Sequence, residues 1–214
     1  MTEVERLAAF TSGTDWEDLS SATRDALKIR LLDSIGCAIG ALGSVPPQLV
    51  RDHVTDFGGT PSCTLIGGAR SAPDRAALLN GALVRYLDFN DSYLAPGETC
   101  HPSDSLGAVL AAAEYGRRQG RDLLVALAVA YAVQCRLSEV AAVRHRGFDH
   151  TVQLAYGAAA GVARALGLDA GTTSHAVAIA GTAFNALRVT RTGALSHWKG
   201  LAAPFTAAGA LDAG

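Results

Sequence analysis

The sequence predicts an all-α domain, and three observations carry that expectation. Apolar residues recur near helical spacing along most of the 214 residues, as at Ala26, Ile29, Leu32, Ile35 and Ile39. Gly and Pro fall between those stretches as punctuation. Only one segment, Ser62 to Ile66, reads as a short strand, and the Gly67-Gly68 turn closes it. With 49% apolar and 18% charged residues, the composition is that of a globular chain able to bury a core.

Taken in order, Thr2 to Phe10 reads as a short amphipathic helix. Thr14 to Asp18 then offers N-cap residues to a helix from about Ser21 to Ala41. Gly36 and Gly40 inside it predict close approach by another helix. Pro46-Pro47 open the next helix, to about Phe57, and Gly58-Gly59 with Pro61 end it. A helix over Asp74 to Tyr86 follows. Pro102 starts one expected to run through Arg118 and to stop at Gly120. Arg121 to about Val140 is the longest apolar helix. Its most apolar part, Leu123 to Val133, is too short to cross a bilayer and is flanked by Arg121 and Arg136. Thr151 to Leu166 and Thr173 to Leu187 are two more helices, and the last starts near Trp198. Roughly eight helices with short connections result. Many are rich in Ala and Gly, so they can pack closely but must rely on many small contacts. No repeat or linker interrupts them, and residues 1–214 read as one domain.

Several function classes lose support. A net charge of -2 offers no electrostatic basis for nucleic acid or an anionic membrane as partner. Cys37, Cys63, Cys100 and Cys135 are far apart and form no CxxC pair, which suits reduced thiols in a cytoplasmic protein. The opening MTEVERLAAF carries acids where a signal peptide carries bases. HExxH spacing, a phosphate loop, a GxGxxG following a strand and a GxSxG elbow are all missing, so neither a metal nor another cofactor is expected.

Chemistry concentrates at three junctions between helices. The first, NGALVRYLDFNDSYLAPGETCHPSDSL, crowds Asp88, Asp91, Glu98, His101 and Asp104 between two apolar helices. It feeds a helix N-terminus, where free N–H groups favour an anion. The plain alternative is that Asp91 and Asp104 only cap helices and His101 is solvated. The second junction is Gly147-Phe148-Asp149-His150-Thr151. There Asp149 or Thr151 can cap the following helix, and His150 would be kept a neutral base by the dipole. An ordinary capped helix with an exposed histidine is the alternative. The third is LRVTRTGALSHWKGL. Arg188 and Arg191 follow a helix C-terminus, where cations are stable anyway, but Lys199 stands at a helix start, where a cation opposes the dipole and serves an anion. His53, His145, His175 and His197 have weaker cases. Together His101, His150, Arg188, Arg191, Lys199 and Asp91 suit a small polycarboxylate. Arginines clamp carboxylates, and a histidine or lysine can move a proton alpha to one.

NGALVRYLDFNDSYLAPGETCHPSDSLGAVLAAAEY resembles the signature region of the MmgE/PrpD family, and its LDFND…HPSD…LGAVLA run is closest to the 2-methylcitrate dehydratase branch. GFDHT before an Ala-rich helix and ALGL, then LRVTR, then the WKG lysine, agree in order and interval. The resemblance runs from about Leu31 to Gly214. It implies a large helical domain facing a smaller α+β lid domain, usually in a homodimer, with no metal or iron–sulfur cluster and a role in propionate catabolism. The positions it implies for catalysis are Asp91, His101, His150 and Lys199, with Arg188 and Arg191 on substrate carboxylates. Ala95 stands where some members carry threonine. No lid segment is recognisable in these residues. The resemblance therefore leaves open a hydro-lyase domain, a decarboxylase or epimerase of the same family, and a silent helical subunit that pairs with a separate lid chain.

Overall fold

Nine α-helices and two short hairpins make up the chain in a computed structural model that describes residues 1–214. Helix α1 (Glu3–Gly13) opens on a capping box. Thr2 Oγ1 accepts the Glu5 N–H and the Glu5 carboxylate accepts the Thr2 N–H. Helix α2 (Ser21–Gly40) opens on Ser20, whose Oγ accepts the Thr23 N–H, and α3 (Val45–Phe57) turns off it at 89°. A hairpin of β1 (Cys63–Thr64) and β2 (Arg70–Ser71) leads into α4 (Pro73–Tyr86). A second hairpin, β3 (Tyr93–Ala95) with β4 (Glu98–Cys100), precedes α5 (Leu106–Tyr115). Then come α6 (Gly120–Val140), α7 (Thr151–Leu166), α8 (Ala170–Ala183) and α9 (Trp198–Asp212).

The core lies where α4, α5, α6, α7 and α9 meet, and small residues set its spacing. A Cβ on Gly107 would stand 2.5 Å from the Ala77 carbonyl oxygen, so α5 rests on the backbone of α4. On Gly157 it would stand 2.8 Å from the Ala130 oxygen, so α7 rests on α6 in the same way. Fully buried Leu79, Leu83, Val109, Val129 and Leu154 fill the space between. The most apolar window of α6 has mean hydropathy 1.6, and half of that window is buried inside the fold.

The expected elements are present, with four differences. The apolar stripe of α2 is not its buried face: Ile29, Leu32 and Ile39 are exposed, while Leu27, Ser34, Cys37 and Ala38 face inward. A Cβ on Gly36 would meet nothing within 4 Å, whereas one on Gly40 would touch the Leu87 side chain at 3.0 Å. Periodicity identifies an apolar face but not what covers it. The hairpin of β3 and β4 was not expected, because strands this short show no alternation. Its two-residue turn, Pro96-Gly97, places Gly97 at φ +77. The Pro102 helix starts as a 3-10 turn, Pro102–Ser105, before α5 takes over and ends at Tyr115. Finally, α8 starts earlier than expected because Asp169 caps it, accepting the Thr172 N–H at 2.8 Å.

Candidate active site

Main-chain contacts join the second and third junctions, and side chains bring the first to the same end of the core. The link from α6 to α7 pairs with the link from α8 to α9 through an antiparallel bridge between Phe148 and Leu187. The Asp149 N–H donates to the Ala186 carbonyl and the Arg188 N–H to the Gly147 carbonyl, each at 2.9 Å. Strand β4 brings His101 to the same place, so that the His101 and His150 rings lie edge to face with centroids 5.3 Å apart.

His101 is half-buried. Its Nδ1 lies 2.7 Å from the Asp91 carbonyl oxygen and 3.3 Å from Ser92 Oγ. A carbonyl can only accept, so Nδ1 carries the proton and neutral His101 presents a bare Nε2. Burial holds its pKa below the usual histidine value, Arg85 and His150 act in the same direction, and Asp104 opposes them. Asp91 thus orients His101 through its main chain. Its carboxylate is occupied elsewhere, accepting the Ser103 N–H at 3.0 Å and the Tyr131 hydroxyl at 2.8 Å.

His150 is buried rather than solvent-facing, and it occupies the N-cap position of α7. Its Nδ1 stands 3.0 Å from Asp149 Oδ1, which also accepts the Thr151 N–H at 3.2 Å. The carboxylate fixes the same tautomer as at His101, again with Nε2 bare. That Nε2 lies 4.0 Å from Asp104 Oδ2, and neither atom has a hydrogen-bond partner although both are buried. Asp149 Oδ2 faces Arg191 Nε at 2.9 Å and Arg188 Nη1 at 3.9 Å. Burial works to raise the Asp149 pKa, but the bond to His150 and the Arg191 charge outweigh it and hold the carboxyl below its usual range.

The cations divide by exposure. Arg191 is 5% exposed, and beyond Asp149 it donates to the Lys199 carbonyl at 2.9 Å, so it buttresses the site. Arg188, 31% exposed and farther from Asp149, is the freer arginine. Lys199 sits in the first turn of α9 and donates to Asp88 Oδ2 at 3.2 Å. Asp88 Oδ1 in turn meets Arg85 Nη1 at 2.6 Å. Burial tends to raise the Asp88 pKa, but Arg85 and Lys199 pull it below its usual value. A cleft of about 340 Å³ opens here, lined by Arg85, Asp88, His197 and Lys199 among others.

Buried Arg85 joins the two sides. It donates to Asn90 Oδ1 at 3.0 Å and lies 3.7 Å from Asp104 Oδ1, which also accepts from Asn90 Nδ2 at 2.9 Å. Charge therefore runs Lys199, Asp88, Arg85, Asp104, His150. A larger cleft of about 740 Å³ between α1, α2 and α6 has mostly apolar walls, and Tyr131 is its link to this cluster.

All six residues singled out from sequence reach this region. Sequence reasoning passed over Arg85, Asn90 and Tyr131, and it treated Asp104 and Asp149 as caps. The available signal was a polar residue interrupting an apolar helical face, which Arg85 and Tyr131 both do.

Comparison with known proteins places the chain in a family. A family model described as the MmgE/PrpD N-terminal domain matches residues 5–214. The 2-methylcitrate dehydratase of Escherichia coli K12 is 30% identical over 212 residues, covering 86% of this chain and 41% of the relative. That of Cupriavidus necator is 31% identical over 190 residues, covering 83% and 39%. The mitochondrial 2-methylcitrate dehydratase of Yarrowia lipolytica is 29% identical over 197 residues, covering 83% and 36%. The chain thus spans about two fifths of the length of these relatives.

Proposed function

The chain belongs to the MmgE/PrpD family, whose N-terminal domain it matches, and on that premise we propose that it supplies the acid/base groups of a hydro-lyase that dehydrates 2-methylcitrate or a related tricarboxylate. The observation that carries this reading is the pair of imidazoles 5.3 Å apart, each with its Nδ1 committed to an acceptor and its Nε2 open.

His150 is the base. Its Nε2 takes the proton alpha to a substrate carboxylate, and Asp149 and Asp104 stabilise the imidazolium that forms. The electron pair of the broken C–H bond becomes the new C=C bond. The C–O bond breaks, and His101, having first taken a proton at Nε2 from solvent, gives it to the departing hydroxyl, which leaves as water. Burial disfavours the cation at His101, so once protonated it is a strong acid. Arg188 is free to take a substrate carboxylate, and Lys199 takes another by exchanging Asp88 for it. The exposed side of the site is closed by further residues, from a lid domain, a separate lid chain or the second copy in a homodimer, and the reaction takes place in the cytoplasm.

The test is dehydration of 2-methylcitrate by the purified chain, with citrate for comparison and a chelator present, followed by the ultraviolet absorbance of the conjugated product. Turnover that His150→Ala abolishes is the expected result. Carbon dioxide release without dehydration would reassign the chain to decarboxylation. No turnover, with no binding of the tricarboxylate, would contradict the reading.

A further inference from the structure

We propose that Glu98 is a positioning residue that sets the spacing of the two imidazoles, by tying the hairpin that carries His101 to the link that carries His150. This rests on the acid/base reading above.

Glu98 is the first residue of β4, and its side chain is fully buried. Every polar contact of its carboxylate is to the link between α6 and α7. Oε2 accepts the N–H groups of Val143 at 3.1 Å and Arg144 at 3.2 Å, and Oε1 faces Arg144 Nε at 3.1 Å. From there the connection to His150 is short. The Val143 carbonyl accepts the Arg146 N–H at 2.9 Å and the Phe148 N–H at 3.4 Å, and Asp149-His150 follow directly. On the other side, β4 runs from Glu98 to Cys100 and His101 is the next residue. The register Tyr93 to Cys100 and Ala95 to Glu98 fixes the hairpin, and the Tyr93 hydroxyl reaches Glu139 near the end of α6. The turn presses on the link as well: a Cβ on Gly97 would stand 3.8 Å from that of Ala142.

A buried carboxylate is costly unless its oxygens are satisfied; two main-chain N–H groups satisfy Oε2, and Oε1 meets the Arg144 guanidinium as an ion pair without a hydrogen bond. Main-chain donors also fix position more firmly than flexible side chains do. The two histidines come from segments far apart in the chain, and misplacement by about 1 Å can cost roughly 10²-fold in rate.

The test is a nuclear magnetic resonance titration of the histidines in the full chain, with turnover measured in parallel. Groups facing His101 are Arg85 from α4, Asp88 and Asp91 from the loop after it, Asp104 from the 3-10 turn and His150 at the start of α7. Removing the Glu98 charge alone would favour the neutral imidazole and lower the His101 midpoint. Loosening the site exposes His101 and raises the midpoint toward the unperturbed value of about 6.5. In Glu98→Ala the expected result is a higher His101 midpoint, loss of the cross-peak between the two rings, and kcat lowered at least about tenfold with little change in KM. Glu98→Gln, which keeps shape and one acceptor, gives a smaller change of the same sign and serves if the alanine variant does not fold. Arg144→Gln keeps both main-chain bonds and changes the midpoint least. A variant that loses thermal stability but keeps the ring cross-peak, the midpoint and kcat would overturn the proposal. If the unaltered chain neither turns over nor binds the tricarboxylate, the dehydratase reading fails while the resonance data still decide the role of Glu98.

Discussion

The two histidines face one another, yet they are held in different ways. His101 rests on a neutral main-chain carbonyl, is half-buried, and has its charged form disfavoured. His150 is buried and rests on the Asp149 carboxylate, itself held by Arg191, with the Asp104 carboxylate on its other side. Both supports select the same tautomer, but a carboxylate stabilises an imidazolium more than a neutral carbonyl does. The difference separates a group built to gain a proton and keep it briefly from one built to give a proton away.

Removing the better-supported imidazole should cost most. His150→Ala is expected to lower kcat by about 10²–10⁴-fold in an active sample, since that is the usual worth of a positioned base. Turnover within about tenfold of the parent would transfer the base role to Lys199. Asp149→Asn comes next. It leaves Arg191 buried beside a neutral amide, and breaking a buried pair in this way costs on the order of 3 kcal/mol of stability, readable by urea unfolding. Tyr131→Phe takes a hydrogen bond from the Asp91 carboxylate and should cost about 1.5–3 kcal/mol. Because Asp91 orients His101, this variant should also alter the His101 titration.

The pH dependence of stability sharpens the contrast further. His101 has a depressed pKa in the fold, so below its unfolded value of about 6.5 the unfolded chain binds more protons and stability falls. Asp149 and Asp88 are depressed too. Their contribution is present above the unfolded carboxylate pKa and is lost as pH falls through the folded values. Stability should therefore decline in two acid steps, and His101→Gln should remove the first while sparing the second. The smallest effect is expected from Ser92→Ala. Its 3.3 Å contact to His101 is long, and its loss should change stability by about 0.5 kcal/mol or less.

Much of this was legible in the sequence because helix ends are punctuated. Gly147 and Pro102 flag the junctions that hold His150 and His101, and the small residues of α5 and α7 foretell the close packing seen at Gly107 and Gly157. What stayed hidden depends on contacts between segments distant in sequence. Arg85 ends a helix as any cation would, and only the fold shows it buried among Asp88, Asn90 and Asp104. Asp149 accepts the Thr151 N–H at the start of α7, although His150 is the N-cap residue, and its second oxygen faces Arg191 forty-two positions further along the chain. The apolar spacing in α2 marks a helix, which it is, but Ile29, Leu32 and Ile39 are exposed, since periodicity carries no information about the neighbour.

In the proposed site, two imidazoles with open Nε2 atoms share one polycarboxylate. Nitrogen-15 resonance of the imidazoles, with and without a saturating tricarboxylate such as citrate, tests it most directly. The account predicts protonated Nδ1 and bare Nε2 at both His101 and His150, with both Nε2 signals displaced by the ligand. Bare Nδ1 at either ring, or Nε2 signals indifferent to the ligand, would contradict it.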